Sequence, residues 1–178
     1  MHKWLENDRI ILRAMEPNDS PLIYRWENDT RTWHYGSTLS PYSNQSIKEF
    51  VESSPKNIYD ERQLRLMIVD KQTGETVGMI DLFEFDPHHA RAALGLYMDE
   101  SHKRNGYALE SLKIVERYAF DFLHLHQLYA HIPLTNTPCI NLFDRMEYKR
   151  TGVLEEWIYT PDGWEAVAIY QKTAVSRM

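Results

Sequence analysis

The chain has 178 residues, 20 Lys+Arg against 26 Asp+Glu, a formal charge of -6, one cysteine and 43% hydrophobic residues. That length suits a single domain over residues 1–178, burying roughly 70% of the extended chain's surface. The acidic balance argues against a general nucleic-acid binder, one cysteine excludes a disulfide framework and a Cys-based zinc site, and no stretch approaches the roughly 20 apolar residues of a membrane span.

The start, MHKWLENDRIILR, carries charges where a signal peptide needs an apolar run, so the chain reads as cytoplasmic. Asn18, Asn28 and Asn44 each open an N-x-S/T triplet, which is silent without secretion. Residues 9–14 read as a short strand, followed by turn residues 16–19. Asp19 or Ser20 can cap a helix that has Pro21 in its first turn and runs to about Asn28. Residues 30–42 (TRTWHYGSTLSPY) are polar and aromatic with no clear period. Ser43 or Asn44 then caps a second helix to about Glu52, with Ile47, Phe50 and Val51 on one face.

Strands are expected at 63–70, 76–85 and 91–98, separated by the turns Lys71-Gln72-Thr73-Gly74 and Asp86-Pro87-His88-His89. Residues 106–123 have helical spacing, 128–132 read as a strand, and 136–146 as a helix with Ile140, Leu142, Phe143 and Met146 as its apolar residues. Strands at 149–159 and 164–171 close the chain around the turn Thr160-Pro161-Asp162-Gly163. The order βααβββαβαββ implies an α+β (mixed α/β) fold, a sheet covered by helices.

Chemistry concentrates in residues 95–110, GLYMDESHKRNGYALE. A strand ends at Met98, a polar loop follows, and Gly106 stands where a helix begins. Glycine permits close approach of a ligand, and unpaired amides at the helix start favour an anion. Lys103 and Arg104 add positive charge in an otherwise acidic chain. A pyrophosphate cradle and an ordinary solvated loop both fit this segment taken alone.

Lys103-Arg104-Asn105-Gly106-Tyr107-Ala108 resembles the (Gln/Arg)-x-x-Gly-x-(Gly/Ala) acetyl-CoA loop of the GNAT N-acetyltransferases. The preceding strand, the following helix, residues 128–132 and the helix ending at Met146-Glu147-Tyr148 fall where that family has counterparts, and the element order is the family's. The second half resembles most the family's spermidine and ribosomal-protein N-terminal acetyltransferases, and Asp81-Leu82-Phe83-Glu84 with the following His/Arg turn, Tyr129, Asn136 and the closing strands around Asp162-Gly163 are similar to the spermidine enzymes. The resemblance implies an acetyl-CoA-dependent transfer of acetyl to a primary amine: a polyamine, a small amine or a protein N-terminus. It implies a central, mostly antiparallel sheet splayed at the cofactor site, acetyl-CoA as cosubstrate and no metal.

The same resemblance assigns the backbone of Lys103, Arg104, Asn105, Gly106, Tyr107 and Ala108 to pyrophosphate, and Leu96, Tyr97 and Met98 to the pantetheine arm. A backbone N–H near Met98 would support the developing oxyanion. Asn136 would hold CoA, and a helix cap is a compatible second role. Phe143 falls where the family motif Asn-x-x-Ala-x-x-x-Tyr has its tyrosine, so its ring would lie beside the CoA sulfur without a hydroxyl to donate. Tyr148, a water, or an unprotonated thiolate are the alternatives; Tyr148 also suits a core aromatic.

For the base, Asp81 and Glu84 are the candidates, and Glu84 is preferred. Three residues apart, they face opposite sides of an ideal strand unless a bulge intervenes. A water-relayed path is equally compatible. His124, His126 and His131 read as surface histidines rather than metal ligands, Cys139 as a small buried side chain, and Trp26, Trp33, Tyr35 and Tyr42 as a mixture of packing and acceptor lining. The charge of -6 favours a cationic acceptor, whereas residues 30–42 lack the carboxylates that spermidine enzymes carry there. A non-catalytic acyl-CoA-binding or sensing protein on the same fold is the alternative that Phe143 favours, and a homo-oligomer is left open.

Overall fold

The computed structural model describes residues 4–36, 38–53 and 57–175. Residues 1–3 of the charged start and Ser37 of the 30–42 segment lie outside them. The elements are β1 (Ile10–Ala14), α1 (Ser20–Glu27), α2 (Asn44–Glu52), α3 (Ile58–Glu61), β2 (Leu64–Asp70), β3 (Thr76–Asp86), β4 (Arg91–Met98), α4 (Tyr107–Arg117), β5 (Gln127–Pro133), α5 (Thr137–Arg145), β6 (Lys149–Thr160) and β7 (Gly163–Thr173). Short 3-10 turns at Pro17–Asp19, Trp33–Tyr35 and Glu100–His102 join them. α3 is too short to leave a period in the sequence. α4 ends earlier than its apolar pattern does, because Tyr118–Phe122 loosen into one π-helical turn.

Ser43 caps α2 as expected, its hydroxyl accepting from the Ser46 N–H. Asp19 stands at the α1 cap position but makes no cap bond. Its carboxylate accepts instead from Arg13 at 2.7 and 2.9 Å and from the Glu16 N–H, fixing β1 to the chain that enters α1.

The seven strands form one sheet in the order β1-β2-β3-β4-β5-β7-β6. Neighbours are antiparallel except β4 and β5, which run parallel and pair only through Arg91–Gln127, Ala92–Leu128 and Ala93–Tyr129. One face packs Ile80, Leu82, Leu94 and Leu128 against α4 and α5. The other packs Met67 and Met79 against Ile23 and Trp26 of α1 and Ile47 and Val51 of α2. Among the described residues no helix is long and apolar enough to cross a membrane.

Gly78 of β3 opposes Met98. A Cβ there would stand 2.3 Å from the Tyr97 carbonyl oxygen and 3.0 Å from the Met98 sulfur. The obstacle is backbone, so relief requires moving the end of β4. Gly78→Ala is expected to cost ~3 kcal/mol as an overpacking strain, lowering the melting temperature by roughly 6–12 °C for a domain of this size. A thermal melt checks this; a shift below about 2 °C would mean that the strand end yields freely.

Candidate active site

Beyond Ala93 the two central strands separate, and no β5 partner faces residues 94–98 of β4. Half of the backbone N–H and C=O groups along this edge therefore point into a gap. Leu82, Leu94 and Leu96 turn to the α4 side, Tyr97 to the α1 side, where its ring lies 5.2 Å from Trp26. Burial, then the Asp29 and Asp99 carboxylates, pushes the Tyr97 hydroxyl up to about 12.

Asp99 locks the loop that follows. It accepts from Trp26 Nε1 and Arg25 Nη2, both at 2.7 Å, and from the Ser101 N–H and hydroxyl. Burial works against its charge, but the bonds from Ser101 and Trp26 and the Arg25 guanidinium outweigh it and hold the carboxyl well below the usual range. One side chain thus ties α1 to the end of β4.

Arg104 (φ 63) and Gly106 (φ 83) both adopt the left-handed region. Arginine there costs on the order of 1 kcal/mol. Left-handed residues in a turn aim successive N–H groups into one concavity, an anion nest. α4 starts with no side-chain cap at Gly106, so its first N–H groups are left for a ligand or solvent. Lys103 pairs with Glu100 at 2.6 Å in an exposed contact of little energetic weight.

The nest opens on a cleft of about 270 Å³. Met98, His102, Lys103, Arg104, Gly106, Tyr107, Ala108 and Leu109 line one side, and Pro138, Asn141, Leu142 and Arg145 of α5 line the other. Six expected cofactor residues (Met98, Lys103, Arg104, Gly106, Tyr107 and Ala108) therefore gather at one site. The Tyr107 ring is buried and its hydroxyl donates to Asp70 at 2.7 Å.

The other expected residues stand elsewhere. Leu96 and Tyr97 lie along the open edge upstream, and Asn105 donates within the loop to the His102 carbonyl. Asn136 caps α5, accepting from the Cys139 N–H at 3.4 Å. Burial pushes the Cys139 thiol up to about 11. Phe143, 3% exposed, packs edge-on against Tyr148 at 4.7 Å and Tyr170 at 6.3 Å rather than lining the cleft. Tyr148 is 4% exposed; its hydroxyl makes no well-formed hydrogen bond among the described residues, and the Glu116 carboxylate is the polar group it faces. Burial, with the Glu116 carboxylate nearby, pushes its pKa well up.

That placement makes a direct test. Tyr148→Phe removes a buried hydroxyl that makes no well-formed hydrogen bond and only faces the Glu116 carboxylate, so stability should change by less than about 1 kcal/mol. Turnover should be unchanged. A fall in kcat of about tenfold or more would instead put this hydroxyl in the proton path.

The sequence pattern missed the α5 wall. Pro138, Asn141, Leu142 and Arg145 recur at helical spacing, a stripe beside the apolar one, and Leu142 serves both, packing against the core while lining the cleft.

At the closed end of the gap, Glu84 and Tyr129 meet. Between the pairs Phe83–Ala93 and Asp86–Arg91, two residues of β3 (Glu84 and Phe85) stand opposite one of β4 (Ala92), a bulge in which Glu84 takes φ 48. The bulge turns Glu84 to the face that Tyr129 presents, and its carboxylate accepts from the Tyr129 hydroxyl at 2.5 Å. Burial, then this bond, pushes Tyr129 up to about 12. Asp81 shares the α1 face, yet both of its oxygens bind Arg65 at 2.8 and 2.9 Å, and Arg65 also reaches Glu27 at 2.6 Å. Burial opposes the Arg65 charge, but the two carboxylates more than offset it and raise its pKa. Among the described residues no group of three His, Cys, Asp or Glu gathers at metal-binding distance.

Residues 9–149 match the family model of the acetyltransferase (GNAT) domain. The chain belongs to the GNAT acetyltransferases. A spermidine N(1)-acetyltransferase of Vibrio cholerae is 27% identical over 150 residues, covering 84% of each chain. An uncharacterised N-acetyltransferase of Bacillus subtilis is 30% identical, covering 87% of this chain and 88% of that one. The crystal structure of the Vibrio cholerae spermidine N-acetyltransferase with CoA and spermine superposes with a TM-score of 0.83 at 23% identity, over 94% and 96% of the two chains. The GNAT chain is accordingly an enzyme that moves acetyl from acetyl-CoA to an amine, on a mixed α/β fold with a mostly antiparallel sheet.

Proposed function

We propose that this GNAT enzyme holds acetyl-CoA with its phosphates in the nest at Arg104 and Gly106, and acetylates an acceptor that presents a single ammonium, a small monoamine or a peptide N-terminus. The cofactor half is supported by the cleft itself: left-handed loop residues, uncapped α4 amides and a rim carrying Lys103, Arg104 and Arg145. The observation that carries the acceptor half is the ion triad. A polyamine needs several carboxylates along its length, but Glu27 and Asp81 are both taken by Arg65 and residues 30–42 have none. Glu84, at the closed end of the gap, is the carboxylate left to meet the reacting amine and take its proton through Tyr129. Phe143 supplies no proton donor, so the departing thiolate would be protonated by solvent.

Spermine bound to the Vibrio cholerae relative makes the polyamine reading the natural competitor. The test measures thiol released from acetyl-CoA with spermidine, simple monoamines and peptides with free N-termini. Higher kcat/KM on monoamines or peptides is expected. A spermidine preference of about tenfold or more, some 1.4 kcal/mol of transition-state binding, would overturn the acceptor assignment.

A further inference from the structure

Arg9 lies outside the loop motif, where the chain enters β1, yet it reaches the cofactor site. Its guanidinium lies 4.1 Å above the centroid of the Tyr107 ring. Its Nη1 donates to Glu110 at 2.8 Å and stands 3.4 Å from where a Cβ on Gly106 would be. Glu110 is held from its other oxygen by Asn7 at 2.9 Å, and the Tyr107 hydroxyl is anchored on Asp70. The first turn of α4 is therefore gripped by residues that do not themselves line the cleft.

We propose that Arg9 is a positioning residue for CoA, bracing Gly106 and Tyr107 so that the amides of the nest and first turn point at phosphate. The argument rests on the reading that this nest binds CoA. Glycine at φ 83 is the most permissive point of the loop, and α4 has no cap to fix its start. A planar cation that stacks on Tyr107 and bonds Glu110 restricts the residue after that hinge and the far end of the first turn. Such a guanidinium is poorly replaced by an ammonium, which keeps the charge but neither the plane nor the fork.

Calorimetry with CoA and with dephospho-CoA tests this on the wild type, Arg9→Met, Arg9→Lys and Gly106→Glu. Arg9→Met is expected to weaken both ligands by about tenfold and equally, as loss of a supporting contact does for a positioned binding group. Arg9→Lys should fall between it and the wild type. In turnover assays KM for acetyl-CoA should rise while kcat and the amine KM stay within about twofold, because the remote contact serves cofactor binding alone. A melting-temperature change without a change in CoA affinity would reduce Arg9 to a structural residue and overturn the proposal. So would a loss seen with CoA but absent with dephospho-CoA, which would make Arg9 a direct ligand of the 3′-phosphate. If the wild type binds CoA and Gly106→Glu does not, failure at Arg9 leaves the nest assignment standing; if the wild type does not bind, that assignment falls first.

Discussion

Gly106→Glu is expected to abolish CoA binding. Two effects add. The position has φ 83, where any L side chain is strained by roughly 1–2 kcal/mol; the new Cβ itself only touches Arg9 Nη1, at 3.4 Å. The new carboxylate would face phosphate: two unit charges about 5 Å apart at an effective dielectric of 20 repel by about 3 kcal/mol. Together these exceed a ~10²-fold loss of affinity, each tenfold step being about 1.4 kcal/mol. Gly106→Ala adds strain and Cβ contact without charge, so a loss nearer tenfold is expected from the first effect alone. Calorimetry separates the two variants. Normal CoA binding by the glutamate variant would remove the nest from the cofactor site.

The cofactor half was legible in the sequence because its signals are local. A strand, a polar loop, a glycine and a helix follow one another within residues 95–110, and the fold brings six of the expected residues to one cleft without further rearrangement. The acceptor half depends on pairing between distant segments. Asp81 and Glu84 share a face only because β3 bulges against β4, and two-residue alternation cannot foresee a bulge set by a partner strand. Arg65 consumes Asp81 and Glu27 across 16 and 38 positions of sequence. The resemblance puts the Phe143 ring beside the CoA sulfur; in the structure that ring packs on Tyr148 and Tyr170, and it is the neighbouring stripe, Pro138, Asn141 and Arg145, that faces the cleft at the 103–109 loop. Arg9 carried no local signal, since its partners Tyr107 and Glu110 lie about 100 residues away.

Glu84→Gln is expected to leave CoA binding intact and to lower kcat by about 10²–10⁴-fold, the range typical of losing a general base. An alkylammonium has a pKa of about 10.4, so at neutral pH roughly one amine in 10³ carries the lone pair that attacks the thioester. Proton removal at the site is therefore worth having. Tyr129, pushed up to about 12, is protonated at neutral pH and can relay a proton but not keep one; the carboxylate at 2.5 Å is the acceptor. Glutamine preserves the shape, the bulge and its φ of 48, which isolates the basicity. Tyr129→Phe cuts the relay and should lower kcat in the same direction. Glu84→Gly should separate stability from activity. It relieves left-handed strain of roughly 1 kcal/mol but gives up the bond to Tyr129, worth about as much, so stability should hold within about 1 kcal/mol while the base is abolished. If Glu84→Gln raises the amine KM and spares kcat, the carboxylate binds the ammonium without taking its proton. Unchanged kcat and KM in both Glu84→Gln and Tyr129→Phe would transfer proton removal to water and leave the 2.5 Å bond a structural clasp between β3 and β5.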